Sequence, residues 1–77
     1  MTNIYTDMCA DLFHYGHVNI LKNAKQLVGD MGNLIVGIHS DKTIESYKRK
    51  PIMTMEERIA VVEACKYVDK VIPDAPL

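Results

Sequence analysis

Asn3-Ile4-Tyr5-Thr6-Asp7-Met8-Cys9-Ala10-Asp11-Leu12-Phe13-His14-Tyr15-Gly16-His17 is the stretch whose reading decides the fold. Asn3 to Cys9 is rich in strand formers, and Val18 to Val28 has helical periodicity. The segment between them therefore turns a strand into a helix, with two imidazoles three residues apart and a glycine between. In parallel α/β folds ligands bind in the crevice at the carboxyl ends of the strands. A helix start there offers unpaired N–H groups and a partial positive charge, which favour phosphate. Gly16 lets the backbone approach a ligand without a Cβ in the way. Two histidines beside that cradle can donate hydrogen bonds to phosphoryl oxygens as charge develops.

Working outward, the helix carries Val18, Leu21, Ala24 and Val28 on one face, broadened by Ile20 and Leu27. Asn19, Lys22, Asn23, Lys25 and Gln26 occupy the other side, the pattern of a helix lying on a sheet. Gly29, Asp30 and Gly32 end it. Leu34 to Ile38 is nearly all apolar, as a strand buried on both faces should be. A short helix is expected from Asp41 to Tyr47, with Asp41 as its cap, and His39 at the strand end is read as structural. Lys48-Arg49-Lys50-Pro51 is a basic loop in which Pro51 stops helix. Thr54 and Glu57 form a capping box for a helix running to about Lys66, burying Ile59, Val62 and Cys65. Tyr67 to Ile72 reads as a third strand, broken by Pro73-Asp74-Ala75-Pro76. The result is βαβαβ, a Rossmann-like parallel α/β sandwich, partial in extent.

Composition narrows the function. At 77 residues the chain is at most one small domain, and 48% hydrophobic content is that of a globular protein. A net charge of −1 gives no electrostatic case for nucleic-acid or membrane-surface binding. No apolar run approaches the roughly 20 residues of a membrane span, and no signal-peptide pattern opens the chain. Cys9 and Cys65 make no disulfide framework, so reduced thiols and a cytoplasmic location are expected. Cys9, Asp11, His14 and His17 are metal-ligand types, but their spacing matches no standard zinc pattern, and no metal is assigned to them.

His14-Tyr15-Gly16-His17 resembles the HxGH signature of the nucleotidyltransferase superfamily, and Asp11-Leu12-Phe13 before it resembles the cytidylyltransferase branch. Gly37-Ile38-His39-Ser40-Asp41, Thr54-Met55-Glu56-Glu57-Arg58 and Lys66 to Ile72 resemble further segments of that family, in the family's order. On this resemblance residues 1–77 are the N-terminal part of a cytidylyltransferase-like nucleotide-binding domain, about the first half of its catalytic unit.

The resemblance implies CTP as substrate, magnesium as cofactor, and a phosphorylated alcohol such as phosphoethanolamine, phosphocholine or glycerol 3-phosphate as acceptor. It makes His14, His17 and Lys48 catalytic, and places Asp7, Cys9, Ala10, Asp11, Tyr15, Gly16 and Arg58 around the nucleotide and acceptor. Arg58 is equally open to pairing with Glu57 or Glu63. The segment Lys66 to Ile72 lies near a dimer interface in relatives, so a homodimer is expected. Met8 stands where the family usually has glycine, and Leu77 where choline and ethanolamine enzymes often have an aromatic residue, which weakens choline as acceptor. An adenylyltransferase of the same superfamily and a non-catalytic nucleotide-binding or dimerisation remnant are the other two readings.

Overall fold

The computed structural model describes residues 2–75. It contains β1 (Asn3–Met8), α1 (Tyr15–Val28), β2 (Asn33–His39), α2 (Asp41–Glu45), α3 (Met55–Glu63) and β3 (Lys70–Ala75). The three strands form one parallel sheet in the order β1-β2-β3. The βαβαβ Rossmann-like reading is thereby met, with β2 central and β1 at an edge. Among the described residues no helix is long and apolar enough to cross a membrane. Leu77, noted above for not being aromatic, and Pro76 lie outside the described residues.

The core follows from strand alternation. Leu34, Val36 and Ile38 of β2 are fully buried, and their face receives Leu21 of α1 and Val62 of α3. Each such side chain contributes on the order of 1.5–3 kcal/mol by leaving water. Ile4, Met8 and Val71 extend the apolar surface along the flanking strands. On α1 the buried stripe is narrower than its sequence implies: Ile20 and Leu27 are mostly exposed. They lie about 100° from the neighbours of the Leu21 line on a 3.6-residue helix, so a thin sheet does not reach them.

The opposite face carries Tyr5 and Asp7 of β1 beside Ile35 and Gly37 of β2. Here Tyr5 leans across the sheet, and a Cβ on Gly37 would lie 2.1 Å from its hydroxyl oxygen. Glycine at position 37 therefore makes room for the Tyr5 ring.

Several boundaries differ from expectation: α2 ends at Glu45, short of Tyr47, and α3 at Glu63, short of Lys66. Helix α1 begins at Tyr15 and not at Val18, because His14 caps it with its own ring. Strand β3 begins at Lys70 and runs through Pro73, which does not break it. The proline is tolerated because β3 is an edge strand. An extra residue is absorbed where the register slips between Gly37 and His39, and Asp74 takes a positive φ of 57° there. Tyr67 and Val68 belong to the preceding turn, while Asp69 binds both the Leu34 amide (2.7 Å) and Lys25 Nζ (2.7 Å). That carboxylate ties α1 to the start of β2, at the end of the sheet away from the crevice.

Candidate functional site

The site is the crevice beyond the carboxyl ends of β1 and β2, and its centre is the capping box of α1. His14 Nδ1 accepts the Gly16 N–H at 2.9 Å, and His17 Nδ1 accepts the His14 N–H at 3.0 Å. A capping box normally uses a hydroxyl and a carboxylate; here two imidazoles do both jobs. The consequence is chemical. A backbone N–H only donates, so both Nδ1 atoms are lone-pair acceptors and each neutral ring carries its proton on Nε2. Both histidines therefore offer an Nε2–H donor beside a helix N-terminus. Their rings lie edge to face, centroids 4.4 Å apart, and Phe13 packs against His17 at 5.1 Å.

Gly16 has a nearer reason than ligand approach. A Cβ there would sit 2.7 Å from His14 Cε1, so glycine is what lets the His14 ring fold back onto the helix. Tyr15 between the histidines is largely exposed. Burial pushes the His17 imidazole below its ordinary basicity, and the neighbouring His14 and Lys48 push the same way. Lys48, in the loop that follows α2, is thus near enough for its charge to bear on His17. Its Nζ stands 5.8 Å from the Tyr47 ring centroid.

The loop bearing Lys48 is docked on the turn by Asp11. Asp11 Oδ1 accepts the Met53 amide at 2.8 Å and Oδ2 the Ile52 amide at 2.9 Å, while the Leu12 N–H points to Met53 Sδ at 3.0 Å. Burial works against the Asp11 charge, but the two amides, with Arg49 and Arg58, outweigh it and hold the carboxyl below its usual range. Ala10 and Leu12 flank Asp11 with φ of 60° and 52°. Left-handed backbone at two non-glycine residues is costly and persists where surrounding structure enforces it, commonly at sites. Ala10 itself is buried in the core.

Arg58 is fully buried at 0% exposure. It pairs with neither Glu57, which caps Thr54, nor Glu63; its partner is Asp41. Its guanidinium also donates to the carbonyls of Cys9 (2.9 Å) and His39 (2.7 Å) and to Met55 Sδ (3.3 Å). It thereby joins the ends of β1 and β2 to the starts of α2 and α3. The cap of α2 is Ser40 and not Asp41, since the Ser40 hydroxyl accepts the Thr43 amide at 3.1 Å.

His39 is buried and hydrogen-bonds through Nδ1 to the Ala75 carbonyl at 2.9 Å, tying β2 to β3. Its Nε2 lies 3.6 Å from Asp7 Oδ1, and Asp7 is open to solvent at the crevice. Sequence spacing carried no signal for the Asp11, Met53 and His39 contacts, which join residues 36 to 42 positions apart.

Magnesium is usually held by one or two carboxylates together with substrate phosphates. Among the described residues no three His, Cys, Asp or Glu side chains converge, and the Asp11 oxygens are occupied by amides. The described residues by themselves form no cage for the ion.

Comparison with known proteins completes the picture. Residues 5–77 match the cytidylyltransferase-like family model. The chain belongs to the cytidylyltransferase-like family. It is 51% identical over 73 residues to a probable ethanolamine-phosphate cytidylyltransferase of Encephalitozoon cuniculi, covering 95% of this chain and 22% of that protein. Against the ethanolamine-phosphate cytidylyltransferase of Mus musculus it is 45% identical over 76 residues, covering 99% and 18%. Against choline-phosphate cytidylyltransferase 2 of Arabidopsis thaliana it is 41% identical, covering 95% and 24%. The chain thus spans about a fifth of the length of these relatives. Among solved structures, the lipopolysaccharide core biosynthesis protein of Thermoplasma volcanium superposes with a TM-score of 0.86 at 32% identity, over 95% of this chain and 57% of that one.

Proposed function

We propose that this chain carries the phosphate-activating half of a cytidylyltransferase that moves CMP from CTP to a phosphorylated alcohol, releasing pyrophosphate. The observation that carries the reading is the paired Nε2–H donors of His14 and His17, set by the capping box at the start of α1. Phosphoethanolamine is the acceptor to test first, because ethanolamine-phosphate enzymes appear among the relatives at up to 51% identity. Phosphocholine and glycerol 3-phosphate are the competing acceptors, and ATP the competing nucleotide.

In this reaction an ionised acceptor phosphate oxygen attacks the α-phosphorus of CTP. The bond from that phosphorus to the bridging oxygen breaks, and the electron pair leaves on pyrophosphate. No covalent intermediate with the protein is required, and no side chain must first remove a proton. The protein's task is positioning and charge stabilisation. His14 and His17 would donate from Nε2 to phosphoryl oxygens, the positive end of the α1 dipole would add to that attraction, and Lys48 would draw the two phosphates together. Asp7, Cys9 and Ala10 would line the pocket at the end of β1. Arg58 would act through the strand ends it holds. The neutral, weakly basic His17 suits a donor that must not also become a fixed cation. The test is pyrophosphate release by the full-length gene product with each acceptor and with CTP or ATP. CTP-dependent release with phosphoethanolamine is expected; ATP-dependent release alone overturns the nucleotide, and none with any pair overturns the activity.

A further inference from the structure

We propose that Asp11 is a positioning residue, a latch whose carboxylate clamps the 48–53 loop onto the His14–His17 turn and so delivers Lys48 to the two imidazoles. The inference rests on Lys48 acting at that site, as proposed above. A carboxylate pointing freely into a phosphate pocket would repel its ligand; this one points away from it, each oxygen on a backbone amide, Ile52 at 2.9 Å and Met53 at 2.8 Å. The Leu12 N–H adds a third contact, to Met53 Sδ at 3.0 Å. The positive φ of Ala10 and Leu12 turns the backbone so that Asp11 faces the loop. Arg49 lies in that same loop and Arg58 behind it, so both nearby cations favour the charged carboxylate. The loop is exposed from Lys48 to Lys50, while Pro51 is buried and Arg58 Nε donates to the Met53 carbonyl at 3.4 Å, so the Asp11 clamp acts beside these anchors.

The histidine itself reports the latch. His17 packs edge to face on His14 and Phe13, and the Lys48 charge opposes its protonation from a distance. Asp11→Asn removes a negative charge from the neighbourhood, which by direct electrostatics lowers the His17 titration. Release of the loop does the opposite: Lys48 withdraws, water enters, and the titration rises. The sign separates the two. NMR titration of the His17 ring in the full-length product, without any substrate, is the measurement, so its outcome is independent of whether CTP is turned over. The expected result is an upward shift in Asp11→Asn that shrinks in a Lys48→Ala background. A downward or absent shift overturns the latch, and an equal rise in both backgrounds overturns Lys48 as its cargo. Met53→Pro, which deletes an amide donor and keeps the Asp11 charge, should raise the titration too and serves if Asp11→Asn does not fold. Failure of both variants to fold also overturns the proposal, because the contact would then hold the domain and not the loop.

Discussion

At the scale of single residues, the two histidines cap the helix start through Nδ1, which leaves the opposite edge of each ring, Nε2, for the donor role proposed above. His14→Ala or His17→Ala in the full-length product should lower turnover by roughly two orders of magnitude, the scale for losing one transition-state donor. Near-native turnover in steady-state assays would remove them from the mechanism. Lys48→Ala should weaken the use of CTP and of the phosphorylated alcohol together, since one point charge serves both phosphates. Lys48→Arg should rescue only in part, a planar fork replacing a compact ammonium. Lys50→Ala is the control, and a larger loss there than at Lys48 would shift the assignment along the loop. The acid response has a definite sign. His17 binds its proton less readily folded than unfolded, so its contribution to stability is full above the ordinary histidine value of 6.5 and is lost as pH falls through the lower folded value. Asp11 and Asp69 are held below 3.8, so their contributions are full above that value and are lost as pH falls through their folded values. Urea midpoints should therefore decline in two stages on acidification, and a midpoint unchanged from about pH 7 to about pH 5 would contradict the first.

At the scale of elements, the helix starts order the crevice. The α3 box is the expected one, with Thr54 Oγ1 accepting the Glu57 amide at 3.1 Å and Glu57 Oε1 accepting the Thr54 amide at 2.9 Å. Thr54→Ala should cost about 1 kcal/mol, read from denaturant unfolding. Its effect on turnover should exceed its effect on fold, because Met53 and Met55 beside it contact Leu12 and Arg58. A Thr54→Ala variant with unchanged unfolding would show that the box is idle. The difference between the α1 and α3 boxes is instructive: both close two amides, but only the imidazole version leaves a donor on the far edge of each capping side chain.

For the whole molecule, the described sheet leaves the outer edge of β1 unpaired and its second face, around Tyr5 and Ile72, partly open. Open strand edges pair with other chains, and a three-stranded sheet buries little against its conformational entropy. The 77-residue chain alone should therefore self-associate and turn over CTP poorly, as sedimentation and a pyrophosphate assay on the same sample can show. A well-behaved monomer that makes a CDP-alcohol would reverse both expectations.

Much of this was legible in the sequence because it rests on local rules. The period of Val18, Leu21, Ala24 and Val28, the apolar run Leu34 to Ile38 and the Thr54–Glu57 spacing specify elements within one or two turns of chain, and the His14–Gly16–His17 spacing marks the capped helix start at which the site is proposed. Boundaries were less legible where side chains set them: α1 starts early because His14 caps itself, and β3 runs late because an edge strand accepts Pro73. What only the tertiary structure decided is where the long-range polar groups go. Arg58 chose Asp41 and two strand-end carbonyls over Glu57 and Glu63, and Asp11 chose the amides of Ile52 and Met53. Buried polar groups must find partners, but which partners depends on what the fold brings within about 3 Å, and no local pattern along the chain contains that distance.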